Sequence, residues 1–90
     1  MFGSYRADAF RQFGAVLAAA KPNGGRILDI GCAAGDFLAS LDATAWNRLG
    51  LEPSTMAVQK ARARGLEVVE GIFGSTPLPV DRFDASPCWT

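Results

Sequence analysis

Apolar side chains recur at helical spacing along the first twenty residues and in short runs along the rest of the chain. Phe10, Phe13 and Leu17 fall on one helical stripe, with charged and amide side chains off it. This pattern predicts a helix from residue 5 to residue 20. The stretch KPNGG at residues 21–25 then ends the helix, because proline and paired glycines break regular structure.

After this helix, short apolar runs bounded by glycine alternate with stretches of helical spacing. The runs predict buried strands, and their alternation with helices predicts a parallel sheet with right-handed crossovers. Ser54 suits the N-cap of the last helix and Gly65 its C-terminal stop. The predicted strands are residues 26–30, 47–51 and 66–69, and the predicted helices are residues 36–41 and 54–64. The fold class is therefore α/β.

Composition describes one small folded domain. The chain has 90 residues, of which 49% are hydrophobic and 20% charged, which argues against disorder. Nine basic and nine acidic residues leave a net charge of zero, so bulk electrostatics do not favour nucleic acid or an anionic membrane as a partner. No apolar run reaches the ~20 residues that span a bilayer. The opening MFGSYRADAF has no apolar signal core, so we expect a cytoplasmic protein.

The chemistry of the side chains excludes several kinds of site. The sequence has no histidine, and its two cysteines, Cys32 and Cys88, are too far apart to form a C-x-x-C pair. The usual zinc sites and the Ser-His and Cys-His nucleophiles are therefore excluded. Cys32 lies in a turn of small residues, where we interpret it as a compact filler and not as a reactive thiol. We expect no metal site and no catalytic residue in this chain.

Unusual residues stand at the C-terminal end of each predicted strand, where ligands bind in parallel α/β sheets. The first strand ends with Asp29 and the small-residue loop 31–35, the second with Glu52, and the third with residues 70–73. Such a loop lets a ligand approach the backbone closely, and an acid about 20 residues further on is the usual partner of a ribose diol. Together they predict a nucleoside-binding site.

The spacing within the loop argues against a dinucleotide. The pyrophosphate fingerprint G-x-G-x-x-G, counted from Gly31, places Ala33 at its second marked position and Asp36 at its third. A carboxylate at the third position opposes a phosphate and close helix packing. A ligand with a ribose but no phosphate fits better. Two alternatives stay open, a nicotinamide-dependent oxidoreductase fragment and a degenerate, non-catalytic interaction module.

Three stretches resemble the class I S-adenosylmethionine-dependent methyltransferases. ILDIGCAAGDFL is similar to the family's first motif, LGLEPSTMAVQKARARGLEVVEG to its second motif and the following helix, and PLPVDRFDA to the approach to its fourth strand. The resemblance covers residues 26–86 and implies a Rossmann-like parallel sheet with flanking helices. It also implies truncation, because three to four of the family's seven strands fit in this chain.

The resemblance implies S-adenosyl-L-methionine as cofactor and assigns residues to its parts. The small-residue loop would lie against the methionine part, with the helix that begins near Asp36 facing its carboxylate and Asp29 facing its ammonium, directly or through water. Glu52 would accept both ribose hydroxyls, and apolar side chains would surround adenine. The implied cofactor-binding residues are Asp29, Gly31, Cys32, Ala33, Gly35, Glu52, Pro53, Ile72 and Phe73.

Two positions depart from the family's pattern. Ala33 replaces the second glycine of the loop, which crowds the cofactor, and Ser75 stands where many relatives place an acid that meets the adenine amino group. An ordinary structural role also stays open for three assigned residues. These roles are capping of the loop for Asp29, a solvated turn for Glu52 and core packing for Phe73.

By the resemblance, residues 1–90 form a partial methyltransferase domain, with an N-terminal helix at residues 1–20, a cofactor-binding core at 26–73, and a loop with the start of a fourth strand at 74–90. Pro87 interrupts that fourth strand, so we expect a poorly covered flank on the first strand and self-association through it. In the family, the acceptor site and any general base lie in the following half. We therefore expect a cofactor-binding half that is inactive alone, with an unidentified acceptor that is a small molecule and not a macromolecule.

Overall fold

The computed structural model describes residues 2–87, with the side chains of residues 8–79 and 81–87. Its elements follow in the order α1 (Phe2–Ala20), β1 (Gly25–Ile30), α2 (Asp36–Ser40), β2 (Trp46–Glu52), α3 (Thr55–Ala63), β3 (Glu67–Glu70) and a short 3-10 helix (Val80–Arg82). The predicted alternation of strands and helices is confirmed, with bounds that differ by at most three residues. Cys88 lies outside the described residues.

The sheet brings the C-terminal ends of its three strands to one edge. β2 lies between β1 and β3, and both pairings are parallel. Ile30 at the end of β1 lies beside Leu51, and Glu52 lies beside Glu70 at the end of β3. The loops that follow the three strands therefore meet at this edge, which is the place for a ligand in such a sheet.

The final described segment covers the other side of β1. The N–H of Leu28 donates to the carbonyl oxygen of Ala85 at 3.0 Å. The N–H of Ile30 donates to the carbonyl oxygen of Pro87 at 2.9 Å. The expectation of a poorly covered flank on β1 is therefore wrong. Proline lacks an N–H, but this pairing uses its carbonyl, which any residue can offer.

The outer side of β3 is a sheet edge that a cationic side chain occupies. Gly71 N–H points toward β2 and donates to the carbonyl oxygen of Glu52 at 3.0 Å. Successive residues of a strand point their backbone groups to opposite sides, so the carbonyl of Val68 points away from β2. The Arg62 guanidinium donates to that carbonyl oxygen from Nε at 3.3 Å and from Nη2 at 2.9 Å. A charged side chain on an edge carbonyl opposes the addition of another strand.

The core lies between the sheet and the helices α2 and α3, and the predicted apolar stripe of α1 packs against it. Phe37 of α2 is the largest side chain with almost no exposed surface. Its ring lies 5.5 Å from that of Phe10 and 5.6 Å from that of Phe13, between centroids, in tilted arrangements that suit aromatic pairs. Leu17 of the same stripe is buried. Within residues 2–87, no helix is long and apolar enough to cross a lipid bilayer.

The turns around α3 follow their predicted chemistry. Ser54 caps the helix, since its side chain accepts a hydrogen bond from Ala57 N–H at 3.3 Å. Gly65 follows the helix with a φ of +83°, a left-handed conformation that glycine adopts at little cost. Local sequence therefore accounts for where α3 begins and ends.

Gly14, inside α1, carries a prediction about stability. A Cβ added at Gly14 would meet nothing within 4 Å. We expect Gly14→Ala to raise the free energy of unfolding by about 0.5–1 kcal/mol, because glycine inside a helix loses more backbone freedom than alanine. Urea denaturation measures this. Gly24→Ala is the opposite control, since Gly24 has a φ of +80° and a Cβ there would overlap the backbone of Ala45. A lower stability for Gly14→Ala would contradict the prediction.

Candidate functional site

A cleft of about 470 Å³ opens at the C-terminal edge of the sheet. It receives side chains or backbone from the ends of all three strands, where parallel α/β sheets bind their ligands. Its lining residues are Ile30, Gly31, Leu51, Pro53, Gly71, Ile72 and Phe73. The structure thus brings together the predicted site residues Gly31, Pro53, Ile72 and Phe73, which are up to 42 positions apart in sequence.

One wall of the cleft is apolar and open to solvent. Ile72 and Phe73 are 62% and 55% exposed, although both side chains are large and hydrophobic. The core alternative for Phe73 is therefore wrong. Thr76 closes the turn that presents them, because its Oγ1 accepts from Ile72 N–H at 3.1 Å and its own N–H donates to Ile72 O at 3.0 Å. An exposed apolar pair held by a closed turn suits a flat apolar ring.

The loop after β1 depends on left-handed backbone. Gly31, Ala33 and Gly35 have φ angles of +75°, +52° and +89°. Glycine adopts such angles freely, whereas alanine does so at a cost of about 1–2 kcal/mol. The N–H groups of Gly31 and Cys32 both donate to the carbonyl oxygen of Leu51, at 2.8 and 3.1 Å, and so attach the loop to the end of β2. Ala33 needs a further restraint.

Glu52 supplies that restraint. Its Oε1 accepts from Ala33 N–H at 2.8 Å, and its Oε2 accepts from Ser54 N–H at 2.9 Å. The residue is 8% exposed, so the alternative of a solvated turn acid is wrong. One carboxylate thus holds the loop after β1 and the start of α3. Each oxygen keeps a second acceptor position, which leaves capacity for two further donors.

Gly35 is required for packing in the interior. The residue is buried, and a Cβ there would overlap Cδ1 of Leu66. Close approach between the loop and the segment before β3, together with the positive φ, explains the glycine. Packing alone therefore explains why residue 35 is a glycine, without the predicted contact with a ligand. Gly31, in contrast, lines the cleft.

Cys32 fills the space between the loop and the sheet. It is 5% exposed, and its burial, reinforced by the charges of Asp29 and Glu52, raises the pKa of its thiol to about 12. The thiol stays protonated at neutral pH, which agrees with the filler interpretation. Gly50 makes room for it, since a Cβ there would lie 2.6 Å from Sγ. Sequence reasoning missed Gly50, and the available signal was a glycine inside a strand.

Asp29 lies beneath the loop with no exposed surface. Its charge reaches the loop, because it contributes to the raised pKa of Cys32. Asp29 is expected to face the ammonium of the ligand either directly or through water. Direct contact would need exposed surface, which Asp29 does not have. A contact through water or other intervening groups therefore stays the expectation.

The helix that the resemblance places toward a ligand carboxylate is α2, and it is short. The helix has five residues, and its N-cap, Gly35, provides no side-chain hydrogen bond. One turn sums few peptide dipoles, so this helix end provides little of the field that would hold a carboxylate. Its first residue, Asp36, instead forms an ion pair with Arg64, with 2.7 Å between Oδ1 and Nη1. Among the described residues, no group of three or more His, Cys, Asp or Glu could hold a metal ion.

A parallel sheet with flanking helices, a left-handed loop after its first strand and a cleft at the C-terminal edge defines a Rossmann-like fold. The profile of the methyltransferase domain family matches residues 2–86. The chain therefore belongs to the methyltransferase domain family, and the resemblance to class I S-adenosylmethionine-dependent methyltransferases is confirmed.

Solved structures of methyltransferases share this fold. The S-adenosylmethionine-bound amino pentose methyltransferase of Micromonospora echinaspora, involved in calicheamicin biosynthesis, is 30% identical with a TM-score of 0.76, over 98% of this chain and 40% of that one. The sugar N-methyltransferase of Streptoalloteichus is 25% identical with a TM-score of 0.73, over 90% and 33%. An S-adenosylmethionine-dependent methyltransferase of Mesorhizobium loti is 29% identical with a TM-score of 0.64, over 76% and 34%.

This chain thus spans two fifths or less of the length of these three structures. Comparison with the curated proteins finds no match.

Proposed function

We propose that the chain binds S-adenosyl-L-methionine in the cleft at the C-terminal edge of the sheet, as the cofactor-binding half of a methyltransferase. The position of Glu52 carries the proposal. Its carboxylate joins the left-handed loop to the start of α3, beside the cleft residues Gly31 and Pro53, with acceptor capacity left for two hydroxyl groups. A ribose alone explains an acid at this place, and the ligand needs no phosphate or second nucleotide.

The described residues fit the three parts of the cofactor. The backbone of Gly31 and Ala33 would hold the amino-acid part, and Glu52 the ribose hydroxyls. Pro53, Ile72 and Phe73 would surround adenine, with the two exposed side chains excluding water from one face of the ring. Ser75 lies in the same turn, where its N–H donates to Ile72 O at 3.1 Å.

When bound, the cofactor supplies a sulfonium methyl group that an acceptor atom attacks in line. The chain's part in this reaction is to hold the cofactor in one orientation, which lowers the entropic part of the barrier. The buried thiol of Cys32 does not compete for the methyl group, because burial keeps its pKa near 12 and the thiol protonated.

We further propose that the acceptor is a small molecule, an amino sugar methylated on nitrogen. Two similar structures support this, since one is an amino pentose methyltransferase and the other a sugar N-methyltransferase. The zero net charge gives no electrostatic footprint for a nucleic acid.

We propose a cytoplasmic location, where a free thiol such as that of Cys32 stays reduced. Any self-association of the 90 residues would use the outer side of residues 84–87, because Arg62 occupies the edge carbonyl at β3.

Calorimetric titration of the 90-residue chain with S-adenosylhomocysteine tests the proposal. We expect saturable binding of this ligand and none of reduced nicotinamide dinucleotide. Methyl transfer to an amino sugar is expected only from a protein that includes the remaining strands of the domain. The opposite selectivity would favour an oxidoreductase fragment. No response to either ligand, with a stable oligomer by light scattering, would favour an interaction module.

A further inference from the structure

Arg64 joins the end of α3 to the loop after β1. Its Nη1 donates to the carbonyl oxygen of Ala34 at 3.1 Å and to Oδ1 of Asp36 at 2.7 Å. These residues are 30 and 28 positions away in sequence. The backbone of Arg64 is itself anchored, since its N–H donates to the carbonyl oxygen of Ala61 at 3.0 Å. The side chain therefore attaches the loop to a residue fixed by α3.

Asp36 gains a role from this contact. In the sequence it was an acid at a position where a dinucleotide-binding loop needs a small residue. In the structure its carboxylate is paired with Arg64, and the two side chains are 74% and 42% exposed. An ion pair so open to water contributes little to overall stability. Its effect falls on the local geometry of the loop.

The loop is thus held from two sides. Glu52 binds the N–H of Ala33 from the end of β2, and Arg64 binds the carbonyl of Ala34 from the end of α3. The two contacts restrain neighbouring residues in a segment that contains three left-handed φ angles. Without the second contact, the peptide group between Ala34 and Gly35 keeps only the hydrogen bond from Gly35 N–H to the carbonyl oxygen of Cys32.

We propose that Arg64 is a positioning residue that orients the loop for the amino-acid part of the cofactor. The inference rests on the proposed function, because it assumes that this part of the ligand lies along the loop. Arg64 lies in the stretch that follows the second motif, and the family resemblance assigns no role to it. It acts on the ligand through Ala34 and does not touch it.

Two ligands separate this role from general stability. S-adenosylhomocysteine contains the amino-acid part, whereas 5′-methylthioadenosine has the same nucleoside without it. We expect Arg64→Ala to weaken binding of S-adenosylhomocysteine about three- to tenfold, the effect of about one hydrogen bond. The affinity for 5′-methylthioadenosine should change less than about twofold by the same reasoning.

Matched variants sharpen the test. Both contacts of Arg64 come from one nitrogen, so the single ammonium of Arg64→Lys can make both and should restore most of the affinity. Lys60→Ala removes an equal positive charge from within α3 and should leave both affinities unchanged. Equal weakening of the two ligands by Arg64→Ala, or no weakening of either, would overturn the proposal.

Hydrogen exchange provides a readout that needs no ligand. The N–H of Gly35 donates to the carbonyl oxygen of Cys32 at 2.9 Å within the loop. We expect faster exchange of this amide in Arg64→Ala than in the parent, with an unchanged melting temperature. If the parent fails to bind S-adenosylhomocysteine, the proposed function fails, and exchange at Gly35 still tests the restraint. An unchanged exchange rate would show that Arg64 does not order the loop.

Discussion

Replacing Glu52 by glutamine is expected to weaken binding of S-adenosylhomocysteine by about 1–3 kcal/mol. Both carboxylate oxygens accept backbone hydrogen bonds, from Ala33 N–H at 2.8 Å and Ser54 N–H at 2.9 Å. A glutamine amide has one oxygen, and its NH₂ group cannot accept. The variant therefore loses one of these contacts, the negative charge, and acceptor positions for the ribose hydroxyls.

Glu70→Gln is the matched control for this variant. Glu70 ends β3 beside Glu52 in the sheet, and its exposed carboxylate accepts from the Thr55 hydroxyl at 2.7 Å. The same change of charge at this neighbouring position should leave the affinity nearly unchanged. Calorimetry measures both variants, and circular dichroism checks that they fold. An affinity for Glu52→Gln equal to that of the parent would remove Glu52 from the site.

Gly31→Val is expected to abolish detectable binding of S-adenosylhomocysteine. Gly31 lines the cleft with a φ of +75°, and its N–H donates to the Leu51 carbonyl oxygen at 2.8 Å. A β-branched residue rarely adopts a positive φ, and its side chain would enter the space that the ligand needs. The strain should also lower stability by about 1–3 kcal/mol.

Gly65→Val is the control that separates the effect of backbone strain from the loss of space for the ligand. Gly65 has a similar φ of +83°, nothing within 4 Å of an added Cβ, and a position in the turn between α3 and β3. We expect it to lose a comparable amount of stability in a thermal melt and to keep most of its affinity. If Gly31→Val melts far below Gly65→Val or does not fold, Gly31 is required for the fold, and its assignment to the ligand site fails.

The order of elements was determined by the sequence alone. Helical and strand periodicities, the stop at residues 21–25, the Ser54 cap and the Gly65 turn are local features, and each depends on neighbours a few residues away. The alternation of elements then placed Glu52, Ile72 and Phe73 at one edge of the sheet, because parallel strands end together. For the same reason, the class of ligand could be predicted before any contact was known.

Only the tertiary structure decided what these residues touch. The hydrogen bond from Ala33 to Glu52 spans 19 positions, and the contacts of Arg64 span about 30. Gly50 is needed because Cys32 lies above it, and the carbonyl of Pro87 completes β1, although proline in a strand argued against such pairing. These contacts follow from how strands, loops and helices pack against each other. Distances in space set them, and local sequence patterns carry no information about those distances.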